Sequence, residues 1–114
     1  MKAGIVGYGF VGKAMSKSFF DKSLEVIIYD KYKEYSDDGD FKLNDFEELF
    51  SCDFVFLCLP TTFIDGYWYD LSPIIETCSK LEKQKYKGVV IIKSTVQPRT
   101  IERLNDKFSL NIFL

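Results

Sequence analysis

The sequence contains no histidine, three prolines, one tryptophan and three cysteines, and its net charge is −2. Without histidine there is no imidazole base, no Ser-His-Asp triad and little prospect of a zinc centre, so no metal site is expected. The near-neutral balance gives no basic footprint for nucleic acid. No apolar run approaches the ~18 residues of a membrane span. Cys52, Cys58 and Cys78 are odd in number and lack CxxC spacing, and no secretory signal opens the chain. They read as free thiols in a reducing cytoplasm, the expected location.

What is present points to one globular domain over residues 1–114. Hydrophobic residues make up 46% and charged residues 28%, a soluble, core-forming composition. Short apolar runs alternate with helix-period segments, which predicts an α/β fold. Strands are expected at 3–6, 25–29, 53–59, 89–93 and 110–114, with a very short one at 41–43. Between them, Val11, Ala14, Met15, Ser18 and Phe19 share one helical face. Asn44 is placed to cap a short helix carrying Phe46, Leu49 and Phe50. Leu71, Ile74, Ile75, Cys78 and Leu81 mark another helix, and Pro98 suits the first turn of a last one with Ile101, Leu104 and Phe108. Right-handed crossovers then give a doubly wound, mostly parallel Rossmann-type sheet with helices on both faces. The expected order is 3-2-1-4-5-6, with the third strand short or missing.

Gly7-Tyr8-Gly9-Phe10-Val11-Gly12 is a GxGxxG string set between the first strand and the first helix. Gly7 makes the tight turn, Gly9 lets backbone approach a pyrophosphate, and Gly12 permits close helix–strand packing. The helix N-terminus presents N–H groups to the phosphates. Asp30 ends the second strand, where a carboxylate accepts the adenosine ribose hydroxyls and repels a 2′-phosphate. NAD is therefore the expected cofactor. FAD shares the pyrophosphate geometry, and Lys31 and Lys33 keep NADP from full exclusion. Pro60-Thr61 and Ser94-Thr95 end strands beside the first, at the ligand crevice of such sheets. Their hydroxyls suit a nicotinamide ribose or carboxamide, although Ser94-Thr95 also reads as a cap or turn before the Pro98 helix. Lys93 reads as a solvated strand end or a phosphate contact, and Asp65-Gly66 as a turn. The rings of Tyr67-Trp68-Tyr69 suit either an interface with a partner chain or second copy, or packing onto their own domain.

Four segments together resemble the N-terminal domain of the UDP-glucose/GDP-mannose dehydrogenase family. They are KAGIVGYGFVG at 2–12, FVFLCLPTT at 54–62, DGYWYDLSPIIE at 65–76 and IIKSTVQPRTIERL at 91–104. That resemblance implies oxidation of the C6 hydroxyl of a nucleotide sugar to a carboxylate with two NAD. It implies that Thr95 borders the nicotinamide and helps hold a catalytic water, with Thr61 and Ser94 as neighbouring cofactor contacts. In the family a catalytic Glu, a Lys and a Cys nucleophile follow in later segments that these 114 residues do not contain. The three cysteines here do not match the nucleophile's context, so the four-electron reaction is not expected from this stretch alone. The nucleotide sugar would be met through a missing or separate domain. A free-standing NAD-binding accessory or sensor module, and the cofactor domain of a 6-phosphogluconate or 3-hydroxyacid dehydrogenase, are the competing readings.

Overall fold

A computed structural model of the chain describes residues 1–39, 41–64 and 68–114, except for the Trp68 side chain. The turn expected at Asp65-Gly66 and the ring of Tyr67 lie outside the described residues. Lys2–Val6 form β1 and Glu25–Tyr29 form β2, paired in parallel so that Val6 lies opposite Tyr29. Phe54–Leu57 form β3 on the other side of β1. Two further strands, β4 (Phe63–Ile64) and β5 (Trp68–Tyr69), make a small antiparallel hairpin where no strand is expected. There Tyr69 packs its ring against Phe63 of the same hairpin, centroids 5.0 Å apart. Val89–Ile92 (β6) and Asn111–Phe113 (β7) complete a five-stranded sheet in the order β2-β1-β3-β6-β7, parallel throughout.

The doubly wound sheet is thus present without its third strand. Residues 41–43 contribute only an isolated antiparallel bridge between Tyr35 and Lys42. In place of a strand, Asn44 pairs with β2. Its side-chain carbonyl accepts the Ile28 N–H at 2.8 Å, and its own N–H donates to the Ile28 carbonyl at 2.7 Å. Asn44 is therefore not the helix cap. Asp45 takes that role, forming a capping box with Glu48 at the start of a 3-10 helix, Phe46–Ser51.

Helix α1 (Phe10–Asp21) buries Gly12 and Ser16, with Met15 and Phe19 half-buried beside them. The expected stripe is rotated: Val11 is 47% exposed, and Ala14 and Ser18 face solvent. Small side chains decide this, because the face bearing Gly12 and Ser16 can approach the sheet most closely. The Ser16 hydroxyl is satisfied by donating to the Gly12 carbonyl at 2.7 Å. Helix α2 (Ser72–Lys83) buries Ile74, Cys78 and Leu81, as the periodicity predicts. Helix α3 (Thr100–Lys107) begins two residues after Pro98, since Arg99 adopts a left-handed φ of 68° between them.

The two sheet faces are unequally covered. Val6, Val55, Leu57, Val90, Ile92 and Ile112 form one cluster with Leu49, α2 and α3. The opposite face meets α1, where the Phe19 and Phe56 rings lie 5.3 Å apart. By register, Phe56, Ile91 and Phe113 share that second face, and Phe113 at its far edge is 56% exposed. Among the described residues, no helix is long and apolar enough to cross a membrane.

Tyr86 closes the core below the sheet. Its buried hydroxyl donates to the Cys52 carbonyl at 2.8 Å. Tyr86→Phe leaves that carbonyl without its partner and should lower unfolding free energy by about 1–3 kcal/mol in urea denaturation. An unchanged midpoint would show that the bond contributes nothing.

Candidate functional site

All five parallel strands end at one edge of the sheet. The chain runs from β1 outward to β2, then returns to β3 on the other side of β1. Ligands of open α/β sheets bind at this switch point. A cleft of about 640 Å³ opens there, lined by Gly7, Gly9, Phe10, Val11, Asp30, Lys31, Pro60, Thr61, Ser94 and Thr95. Its volume lies within the usual range for small-molecule and cofactor sites. Two residues of the glycine string, Tyr8 and Gly12, do not line it.

The glycine loop is shaped by two requirements. Gly7 has φ of 99°, and its N–H donates to the Tyr29 carbonyl at 2.8 Å. Gly12 lies against the Gly7 carbonyl oxygen, where a Cβ would overlap it. The close approach aims the first turn of α1 into the cleft. Among the described residues no side chain caps α1, and its first turn holds no acid. Its leading N–H groups therefore lack partners within the helix and suit an anion. A Cβ on Gly9 would meet nothing within 4 Å, so open space lies over this terminus where a pyrophosphate would sit. The residues fit a dinucleotide.

Asp30 is half-buried at the end of β2. One carboxylate oxygen accepts the Tyr8 N–H at 2.7 Å and the other the Tyr32 N–H at 2.8 Å. Each oxygen keeps further acceptor capacity for ribose hydroxyls. Asp30 thus ties the glycine loop to the second strand. Lys33 braces the same loop, donating to the Tyr8 carbonyl at 2.9 Å and pairing with Asp37 at 3.1 Å. Asp37 also pairs with Lys13. The Tyr8 ring packs edge-on against Phe41, and burial raises its phenol pKa.

Sequence reasoning missed the α2 wall of the cleft. Pro73, Glu76, Thr77 and Lys80 line it opposite Lys31, together with Phe46. The Lys31 ammonium donates to both Glu76 oxygens, at 2.9 and 3.1 Å, and this contact raises its pKa. Lys80 stands 4.1 Å from the Phe46 ring centroid, a cation–π contact. The signal was available in part, since Glu76 and Lys80 lie four apart and opposite the apolar stripe of α2.

At the other end, the two strand-end segments are stitched together. The Ser94 hydroxyl accepts the Leu59 N–H at 3.1 Å and donates to the Leu59 carbonyl at 2.6 Å. The Thr61 hydroxyl donates to the Thr95 carbonyl at 2.5 Å. Thr95 differs: among the described residues, no hydrogen bond engages its exposed side chain.

Residues 1–64 match the sequence family described as D-isomer specific 2-hydroxyacid dehydrogenase, NAD binding domain. The chain belongs to that family. It is an NAD-binding domain of a dehydrogenase, and its cofactor is NAD. Erythronate-4-phosphate dehydrogenase of Marinomonas sp. (strain MWYL1) is 33% identical over 66 residues, covering 58% of this chain and 17% of that protein. Among solved structures, UDP-D-ManNAc dehydrogenase from Pyrococcus horikoshii superposes with a TM-score of 0.78 at 21% identity. That match covers 97% of this chain and 33% of the other. The NAD complex of D-isomer specific 2-hydroxyacid dehydrogenase from Lactobacillus delbrueckii ssp. bulgaricus gives 0.54 at 20% identity, covering 82% and 27%. These structural likenesses show the Rossmann fold. This NAD-binding domain spans about a third or less of each of these three proteins.

Of the three thiols, Cys58 lines the cleft, while Cys52 and Cys78 are buried away from it. Burial pushes Cys52 and Cys58 up to about 11 and Cys78 up to about 12. At neutral pH they should resist alkylation until the domain unfolds; rapid labelling of the native chain would contradict this. Because the folded values are raised, their stabilisation is full below the ordinary value of 9.0. It is lost as pH rises from 9.0 through the folded values of about 11 to 12, so stability should fall across that whole window.

Proposed function

We propose that residues 1–114 are a single NAD-binding domain serving a nucleotide-sugar dehydrogenase that oxidises the C6 hydroxyl of UDP-glucose or a similar sugar nucleotide. NAD supplies the hydride acceptor. The glycine loop and the α1 N-terminus bind the pyrophosphate, and Asp30 accepts the adenosine ribose hydroxyls. Pro60, Thr61 and Ser94 form the wall of the nicotinamide half. The observation that carries the reading is the Thr95 hydroxyl, exposed on the cleft while its neighbours Ser94 and Thr61 are spent on backbone groups. It can donate and accept beside the nicotinamide and hold a water there. The four sequence segments resembling nucleotide-sugar dehydrogenases, and the fold likeness over 97% of the chain, support this reading.

A second reading has its own support. The family match over residues 1–64 and the 33% identical erythronate-4-phosphate dehydrogenase favour a D-2-hydroxyacid as substrate. The two are separated by NAD reduction with the protein expressed from its whole reading frame. UDP-glucose or GDP-mannose should yield two NADH per sugar nucleotide. NADH produced only with a D-2-hydroxyacid or erythronate 4-phosphate overturns the proposal in favour of the second reading.

The Asp30 assignment is tested on the chain itself. Asp30→Ala removes charge-assisted hydrogen bonds and should weaken NAD binding by about 10- to 100-fold in calorimetry. NADP should suffer less. Equal losses for both dinucleotides would refute the ribose role.

A further inference from the structure

Three lysines crowd the edge of the cleft where β2 ends, a place at which a free ammonium favours a dinucleotide phosphorylated on its adenosine ribose. Lys31, Lys33 and Lys42 line a second cavity of about 390 Å³ beside Asp30. Each is engaged by an acid. Lys33 pairs with Asp37 at 3.1 Å, and Lys42 lies 4.0 Å from Glu34. Those two pairs are local to the segment after β2. Lys31 alone among the three reaches across the cleft, to Glu76 on α2, and is held there by both carboxylate oxygens.

Asp30 is a weaker guard against a 2′-phosphate than its position suggests. Both its oxygens accept backbone N–H groups, from Tyr8 and Tyr32, and those dipoles offset part of its negative field. The charge on the facing wall then matters. With Glu76 bound to it, the Lys31 ammonium is neutralised by a partner, and a 2′-phosphate would have to displace a carboxylate to reach it. Without Glu76, Lys31 would be a free cation on the residue next to Asp30.

We propose that Glu76 is a specificity-determining residue for the cofactor: by engaging Lys31 across the cleft, it denies the adenosine ribose edge a cation for a 2′-phosphate and selects NAD over NADP together with Asp30. The inference rests on the assignment of the β2 end to the adenosine ribose. That assignment fails separately, through the Asp30→Ala experiment.

The test measures Kd for NAD and NADP by calorimetry on the 114-residue chain, with thermal unfolding as a check on folding. Glu76→Gln should tighten NADP relative to NAD by about fivefold or more at low salt. The gain should shrink as ionic strength rises, because the site is open to solvent. Lys31→Met in the Glu76→Gln background should return the ratio to the wild-type value, and Lys31→Met alone should not favour NADP. A contact that merely holds β2 to α2 predicts another pattern, in which Glu76→Gln weakens both dinucleotides equally. That pattern, an unchanged ratio, or a shift that survives loss of Lys31 would each overturn the proposal.

Discussion

The structure depends on one approach of backbone to backbone, the contact between Gly12 and the Gly7 carbonyl. A side chain at Gly7 would run into the Cys58 carbonyl at the end of β3, and one at Gly12 would push α1 away from β1. Because the two meet, the helix terminus points into the crevice between β1 and β3 rather than over the sheet. The same contact turns the small face of α1, Gly12 and Ser16, toward the strands and leaves Val11 and Phe10 in solvent. Fold and site thus share one cause, and the exposed Phe10 at the cleft rim is a consequence of that rotation.

The rest of the site is built by fastening loops to this fixed point. Asp30 holds the glycine loop through the Tyr8 N–H, while Lys33 holds the opposite side of the same residue through its carbonyl. The loop is gripped through backbone on both sides, which leaves the Tyr8 ring to pack outward against Phe41. Helix α2 then supplies a facing wall, so the β2 side of the cleft lies between a strand end and a helix with charges of both signs.

Much of this was legible in the sequence because it follows from period and punctuation. The five strands of the sheet, three helices, their order and the glycine string all carry local signals. Three features were hidden, each for a physical reason. The rotation of α1 depends on side-chain size at Gly12 and Ser16, and a hydrophobic stripe does not register small residues as the buried face. The loss of the third strand depends on Asn44 mimicking a strand pairing with Ile28, a tertiary bond that no local preference announces. The Lys31–Glu76 pair joins residues far apart in sequence, so neither side chain alone marks the α2 wall as part of the site. Ser94 and Thr61 were recognised as strand-end hydroxyls, but their hydrogen bonds to Leu59 and Thr95 became visible only in three dimensions.

That last pair of bonds joins the segments after β3 and β6 into one body. Ser94 both gives a hydrogen bond to Leu59 and takes one from it, so neither segment can change its path without the other. Substitutions in the two segments are then not independent in their effects, and their energies should fail to add. A chain that exchanged only one of the two would keep its fold but lose the spacing between the two strand-end walls of the cleft.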